Sequence, residues 1–127
     1  MLTHMMLGAK DPKASADFFD AVLGALGHKR MFTMNDRYGW SAGEGTPPLI
    51  VGPPGDGADA CHGNGTMLGF RAATRDQVHA AHEAGLKAGG KDEGAPGPRP
   101  AGPPNTYAAY LRDPTGNKIA VICNAPE

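Results

Sequence analysis

Few side chains in this sequence have types and spacing that could do chemistry. His4 precedes an alternating apolar run, so it shares one face of a short strand with Met6 and Gly8, while Met5, Leu7 and Ala9 share the other. An imidazole on a cavity face can donate, accept or transfer a proton near neutral pH, which makes His4 the candidate catalytic group. A buried histidine bonded to a backbone carbonyl would explain the same residue. His79 and His82 stand three apart with Glu83 adjacent, but HAAHE is not the H-E-x-x-H of a zinc helix, and a solvated outer helix face accounts for it. Cys61 and His62 are adjacent and could start a zinc site, yet no further donors flank them. No G-x-S-x-G, phosphate loop or dinucleotide fingerprint is present, so nucleophilic hydrolysis and nucleotide binding lack support.

The elements that would position these groups come from an internal repeat. Shifted by 63 residues, residues 3–27 lie over residues 66–90 without a gap, pairing Thr3 with Thr66, Ala9 with Ala72, Leu23 with Leu86 and Gly27 with Gly90. Both copies read as a short apolar run, a polar turn, an amphipathic helix and a glycine stop. In the first, His4–Ala9 is the strand, Asp11 the N-cap, Pro12 the first helical residue, and Ala14, Phe18, Val22 and Leu26 the buried stripe. In the second, Met67–Ala72 is the strand, Thr74 the cap, and Gly89-Gly90 the stop. Strand-like pieces follow each helix: Lys29–Thr33, Arg37–Ala42 and Leu49–Val51, then Tyr107–Arg112 and Lys118–Cys123. One strand is missing from the second half. Its place is taken by residues 89–105, so rich in proline and glycine that most of them read as loop, either a weak strand or a lid over a pocket. The expected fold class is therefore α+β: one domain over 1–127, with a first βαβββ module at 1–54, a Pro/Gly-rich linker at 55–65 and a second module at 66–127.

Composition narrows the function classes. With 40% apolar and 20% charged residues the 127-residue chain reads as one globular domain. Twelve basic against thirteen acidic residues, a formal charge of -1, offer no field for a phosphate backbone, so nucleic acid is not an expected partner. No segment approaches a membrane span, and the opening residues lack the basic region of a secretion signal. Two cysteines without motif spacing fit a cytoplasmic location.

His4 with Asp11, FFDAVLGALG at residues 18–27 and RDPTGNKI at residues 112–119 resemble the vicinal oxygen chelate (glyoxalase/bleomycin-resistance/extradiol dioxygenase) superfamily, over almost the whole chain. The resemblance implies paired modules whose curved mixed sheet cups a cavity, usually in a homodimer, with a divalent metal held by one His or Glu from each of four strands. Carried over residue by residue, those positions fall on His4, Met67, Ala120 and a residue near Leu49. Only His4 is a donor for such a metal, so the resemblance implies a degenerate site with no resident metal. A lyase or dioxygenase with a rearranged metal site, drawing on Cys61, His62 or Glu44, is the alternative reading.

By alternation Met67, Gly69 and Arg71 line the matching face of the second module, and Lys118, Ala120 and Ile122 that of its last strand. A cavity lined by Met6 and Met67 suits a small, partly apolar organic ligand. Arg37 with Trp40, and Tyr107 with Tyr110, occupy similar places after the two helices and are expected to frame the cleft, although ordinary cross-strand pairs explain them equally.

Overall fold

The computed structural model describes all 127 residues. Its elements run β1 (Met5–Gly8), α1 (Pro12–Ala25), β2 (Arg30–Met34), β3 (Arg37–Trp40), β4 (Leu49–Gly52), β5 (Met67–Arg71), α2 (Arg75–Lys87), β6 (Lys91–Pro98), β7 (Tyr107–Arg112) and β8 (Lys118–Cys123). The repeat is visible in local chemistry. The Asp11 carboxylate accepts the Ala14 N–H at 3.1 Å and the Thr74 hydroxyl accepts the Gln77 N–H at 3.1 Å, so both helices begin on a side-chain cap. Gly27 and Gly89, at φ +91° and +97°, supply the left-handed backbone on which both helices stop. Ala9 and Ala72 each donate a 2.8 Å hydrogen bond to the end of the neighbouring parallel strand, at Gly52 and Ile122.

Each module forms a four-stranded mixed sheet, in the orders β1-β4-β3-β2 and β5-β8-β7-β6. The parallel pair is joined through a helix and the rest are antiparallel neighbours. One core serves both modules: Leu7, Trp40, Leu49 and Val51 of the first sheet and Leu111, Ile119, Val121 and Cys123 of the second belong to a single cluster with Phe18, Phe19 and Val22 of α1 and Val78 of α2. The Phe19 ring packs against both Trp40 and Phe70, so α1 touches both sheets. The helix-side faces are therefore used up inside the chain, and the opposite face of each sheet is left for something else.

The segment read mainly as loop contains the missing strand. β6 occupies Lys91–Pro98 despite its glycines and prolines, because it is an edge strand bonded only to β7, and its register shifts between Asp92 and Gly94 and again between Gly94 and Gly97. It is also pinned from α2. His82, expected on a solvated helix face, is buried, and its Nε2 lies 2.9 Å from Asp92 Oδ1, which also accepts the Gly94 N–H at 3.0 Å. Hydrogen bonds from His82 and from the Gly94 backbone hold the Asp92 carboxyl below the ordinary aspartate range. A depressed carboxyl pKa contributes stability above its unfolded value, about 3.9, and loses it as pH falls through the lower folded value. In urea titrations at stepped pH, the stability difference between wild type and Asp92→Asn is therefore expected to shrink as pH drops below about 4. A difference that grows towards acid would refute this pinning.

Candidate ligand-binding faces

Strand register assigns every candidate side chain to a face. In the first module Met5 pairs with Leu49, Met6 with Ile50 and Gly8 with Gly52, while Gly39 pairs with both Ile50 and Phe32, and Met34 with Arg37. Leu7, Leu49, Val51 and Trp40 are buried on the helix side. Met6, Ile50, Phe32, Met34 and Arg37 consequently share the outer face, with His4 just ahead of β1. Met6 is 43% exposed. His4 is exposed too, its Nδ1 3.0 Å from Thr3 Oγ1.

In the second module Met67 pairs with Lys118, Gly69 with Ala120 and Arg71 with Ile122, while Ala120 also pairs with Tyr110 and Lys118 with Arg112. These side chains share the outer face of the second sheet. Met67 is 44% exposed, whereas Ala120 is fully buried beneath its longer neighbours. Both Lys118 Nζ and the Arg99 guanidinium sit 5.3 Å from the centre of the Tyr110 ring.

Three of the expected positions change. Because Ile50 and Ala120 occupy equivalent places beside β1 and β5, the residue matching Ala120 is Ile50, not Leu49, which is 2% exposed in the core. Trp40 also faces inward, its indole N–H donating to Asp20 Oδ1 at 2.9 Å, and it shares that carboxylate with Arg30. Tyr107 turns towards α2, where its hydroxyl lies 2.6 Å from His79 Nε2 and Arg75 covers its ring. Neither aromatic is on the outer face with His4, Met6, Met67, Arg71, Arg37 and Tyr110.

Trp40 instead lines a side pocket of about 190 Å³ with Met5, Leu49, Phe70 and His28, at the seam between α1, the first sheet and β5, and of the expected ligand residues Arg71 reaches this pocket with it. No local pattern marks this pocket, since its walls come from both modules.

The DPTGN hairpin is a clasp. Asp113 is 3% exposed, and its Oδ1 accepts the backbone N–H of Thr115, Gly116 and Asn117 at 3.0, 2.9 and 2.8 Å. Asn117 Nδ2 donates both to Asp113 Oδ2 and to the carbonyl of Gly8, each at 2.9 Å, and the Lys10 N–H donates to Thr115 Oγ1 at 3.0 Å. Burial pushes the Asp113 carboxyl above the ordinary value, against the pull of these donors. The hairpin thus ties the start of β8 in one module to the end of β1 in the other.

A family model described as the Glyoxalase/Bleomycin resistance protein/Dioxygenase superfamily matches residues 1–121. The chain belongs to this superfamily. A glyoxalase/bleomycin resistance protein from Albidiferax ferrireducens T118 is similar at 38% identity, with a TM-score of 0.88 over 98% of this chain and 99% of that one. A glyoxalase-related enzyme from Fulvimarina pelagi (20% identity, TM-score 0.78, 98% and 88% coverage) and a lactoylglutathione lyase from Agrobacterium tumefaciens (18%, 0.66, 97% and 92%) share the fold. No curated protein matches the sequence significantly.

Divalent metals are common in the superfamily, and the donor set of this member can be tested against one. The equivalent positions hold one imidazole, one thioether and two alkyl side chains, at His4, Met67, Ile50 and Ala120. Borderline and hard divalent ions need three or four convergent N or O donors. These residues do not fit such an ion, and no group of three His, Cys, Asp or Glu side chains elsewhere is placed to hold one.

Proposed function

We propose that this superfamily member binds a small organic molecule without the divalent metal, in a cavity completed when two copies of the chain pair. The observation that carries the reading is the donor set: His4 is the single surviving metal donor, it lies on the outer face of the first sheet with Met6 and Ile50, and the matching face of the second sheet carries Met67. Such a surface is adaptable and apolar and suits an organic ligand better than an ion.

Exposure supports the pairing. Met6, Met34 and Met67 stand 43%, 63% and 44% exposed on faces turned away from the shared core. The free edges of β1 and β5 support it as well. Met5 and Ala9 spend their N–H groups on β4, so the backbone of His4, Met6 and Gly8 points the other way, where only the Gly8 carbonyl is taken, by Asn117. Unpaired strand edges beside exposed methionines favour joining to another copy. Two unbridged cysteines, Cys61 and Cys123, suit a reducing compartment such as the cytoplasm.

Sedimentation velocity is expected to give the mass of two chains. Elemental analysis of protein purified without chelator is expected to find no stoichiometric zinc, nickel, iron or manganese. In a thermal-shift screen, organic molecules are expected to raise the melting temperature where divalent metals do not. A stoichiometric metal whose removal lowers the melting temperature would reverse the reading in favour of a metal-dependent lyase or dioxygenase.

A further inference from the structure

The two modules repeat each other in backbone but not in charge. On the outer face of the first sheet the side chains are His4, Met6, Ile50, Phe32, Met34 and Arg37, and Arg37 is turned aside to the Pro53 carbonyl at 3.2 Å. That face is apolar, with one permanent charge. In the second sheet, register gathers Arg71, Lys118, Arg112 and Lys91 on the outer face, and Arg99 joins them over Tyr110 while donating to the Ala95 carbonyl at 2.7 Å.

The acid placed among these cations is Glu93, which accepts from Arg112 Nε at 2.9 Å, and that contact, with a smaller pull from the Lys118 charge, holds its carboxyl below the usual range. Arg71, Lys91 and Lys118 take part in none of the ion pairs of the fold. The whole chain carries a formal charge of -1, so this excess is a local arrangement and not a consequence of composition. Like charges on one sheet face repel, and a face whose cations outnumber its one acid is poised for an external counter-charge.

We propose that the ligand is an amphipathic organic anion, whose carboxylate, sulfonate or phosphate head is drawn to the cationic outer face of the second sheet that carries Arg71 and Lys118, and whose apolar body lies on the methionine face of the first module. The assignment rests on the cavity reading above and adds to it that pairing sets the cationic face of one copy against the apolar face of the other. Arginine supplies a planar fork for the head group, and Tyr110, already flanked by two cations, offers its ring to the first atoms of the apolar body.

The test compares two fluorescent dyes with the same ring system: the anion anilinonaphthalene sulfonate and the neutral N-phenylnaphthylamine. The sulfonate is expected to bind the dimer saturably and at least about ten-fold tighter, because a charge-assisted pair in a partly dry site is worth that factor. Arg71→Gln and Lys118→Gln, both at side chains outside the core, are expected each to weaken the sulfonate about three-fold or more while leaving the neutral dye and the melting temperature unchanged. Raising the salt from about 0.05 to 0.5 M is expected to weaken the sulfonate alone. Equal affinity for the two dyes, or indifference of the sulfonate to both substitutions, would overturn the anionic class and leave the cavity standing. Saturable binding of neither dye would overturn the cavity reading itself.

Discussion

Asp113→Ala is expected to lower the melting temperature by roughly 10 °C or more, read by circular dichroism. The carboxylate is buried and accepts four hydrogen bonds, from the N–H groups of Thr115, Gly116 and Asn117 and from the Asn117 amide. Bonds to charged groups contribute about 1.5–3 kcal/mol each, and donors left unsatisfied cost about 1–3 kcal/mol, but Gly116 and the turn can admit water, so a net loss near 3 kcal/mol is the reasonable sum. For a domain of this size each kcal/mol moves the midpoint by about 3–6 °C. Asn117→Ala is expected to cost less, about 1–2 kcal/mol, because it removes the donor to Gly8 while the backbone turn survives. Since the two residues share one network, the double variant is expected to lose less than the two single losses combined. An Asp113→Ala protein that melts within about 2 °C of wild type would show that the hairpin is shaped by its backbone alone.

The repeat carried most of the fold, because caps, stops and buried stripes are local signals that both copies had to keep. Asp11, Thr74, Gly27 and Gly89 all act where their types predict. β6 was largely illegible for a physical reason. Its composition signals loop, and what makes it a strand lies elsewhere in the chain: one-sided pairing with β7 and the His82 to Asp92 contact from α2. The same contact explains why HAAHE is more than a solvated helix face.

The face of each candidate residue was legible wherever simple alternation from a known start sufficed. His4, Met6, Met67, Arg71 and Ala120 lie on the outer faces that alternation assigns them. Trp40 and Tyr107 lie on the helix side because each stands three residues from an outer-face partner, Arg37 or Tyr110, and an odd step along a strand changes face; neither RYGW nor YAAYLR marks which of the two turns inward. The position expected near Leu49 is Ile50, one residue on. The signals that settle these positions are Asp20 for Trp40 and His79 for Tyr107, both long-range partners. Charge asymmetry between the modules is likewise invisible until register brings Arg71, Lys118, Arg112 and Lys91 to one side.

Gly85 decides whether the two halves can share a core at all. A Cβ added there would lie 2.8 Å from Leu111 Cδ1, 2.9 Å from Val22 Cγ2 and 3.2 Å from Phe18 Cε2, so α1, α2 and the second sheet all close on this one residue. In a helix interior, replacing glycine normally helps, by about 1 kcal/mol for alanine. Here sterics win: Gly85→Val adds three carbons to a packed crossing, and overpacking costs about 1–3 kcal/mol or more while the helix term for valine recovers only a few tenths. A loss of roughly 3 kcal/mol in urea unfolding is expected, with the denaturant slope unchanged. Trimming the facing side chain supplies the control. Val22→Ala alone opens a cavity and destabilises, yet combined with Gly85→Val it makes room for the new side chain, so the double variant is expected to be more stable than Gly85→Val alone. Simple additivity of the two losses would mean that α1 and α2 do not meet at this point, and the single shared core would have to be redrawn as two.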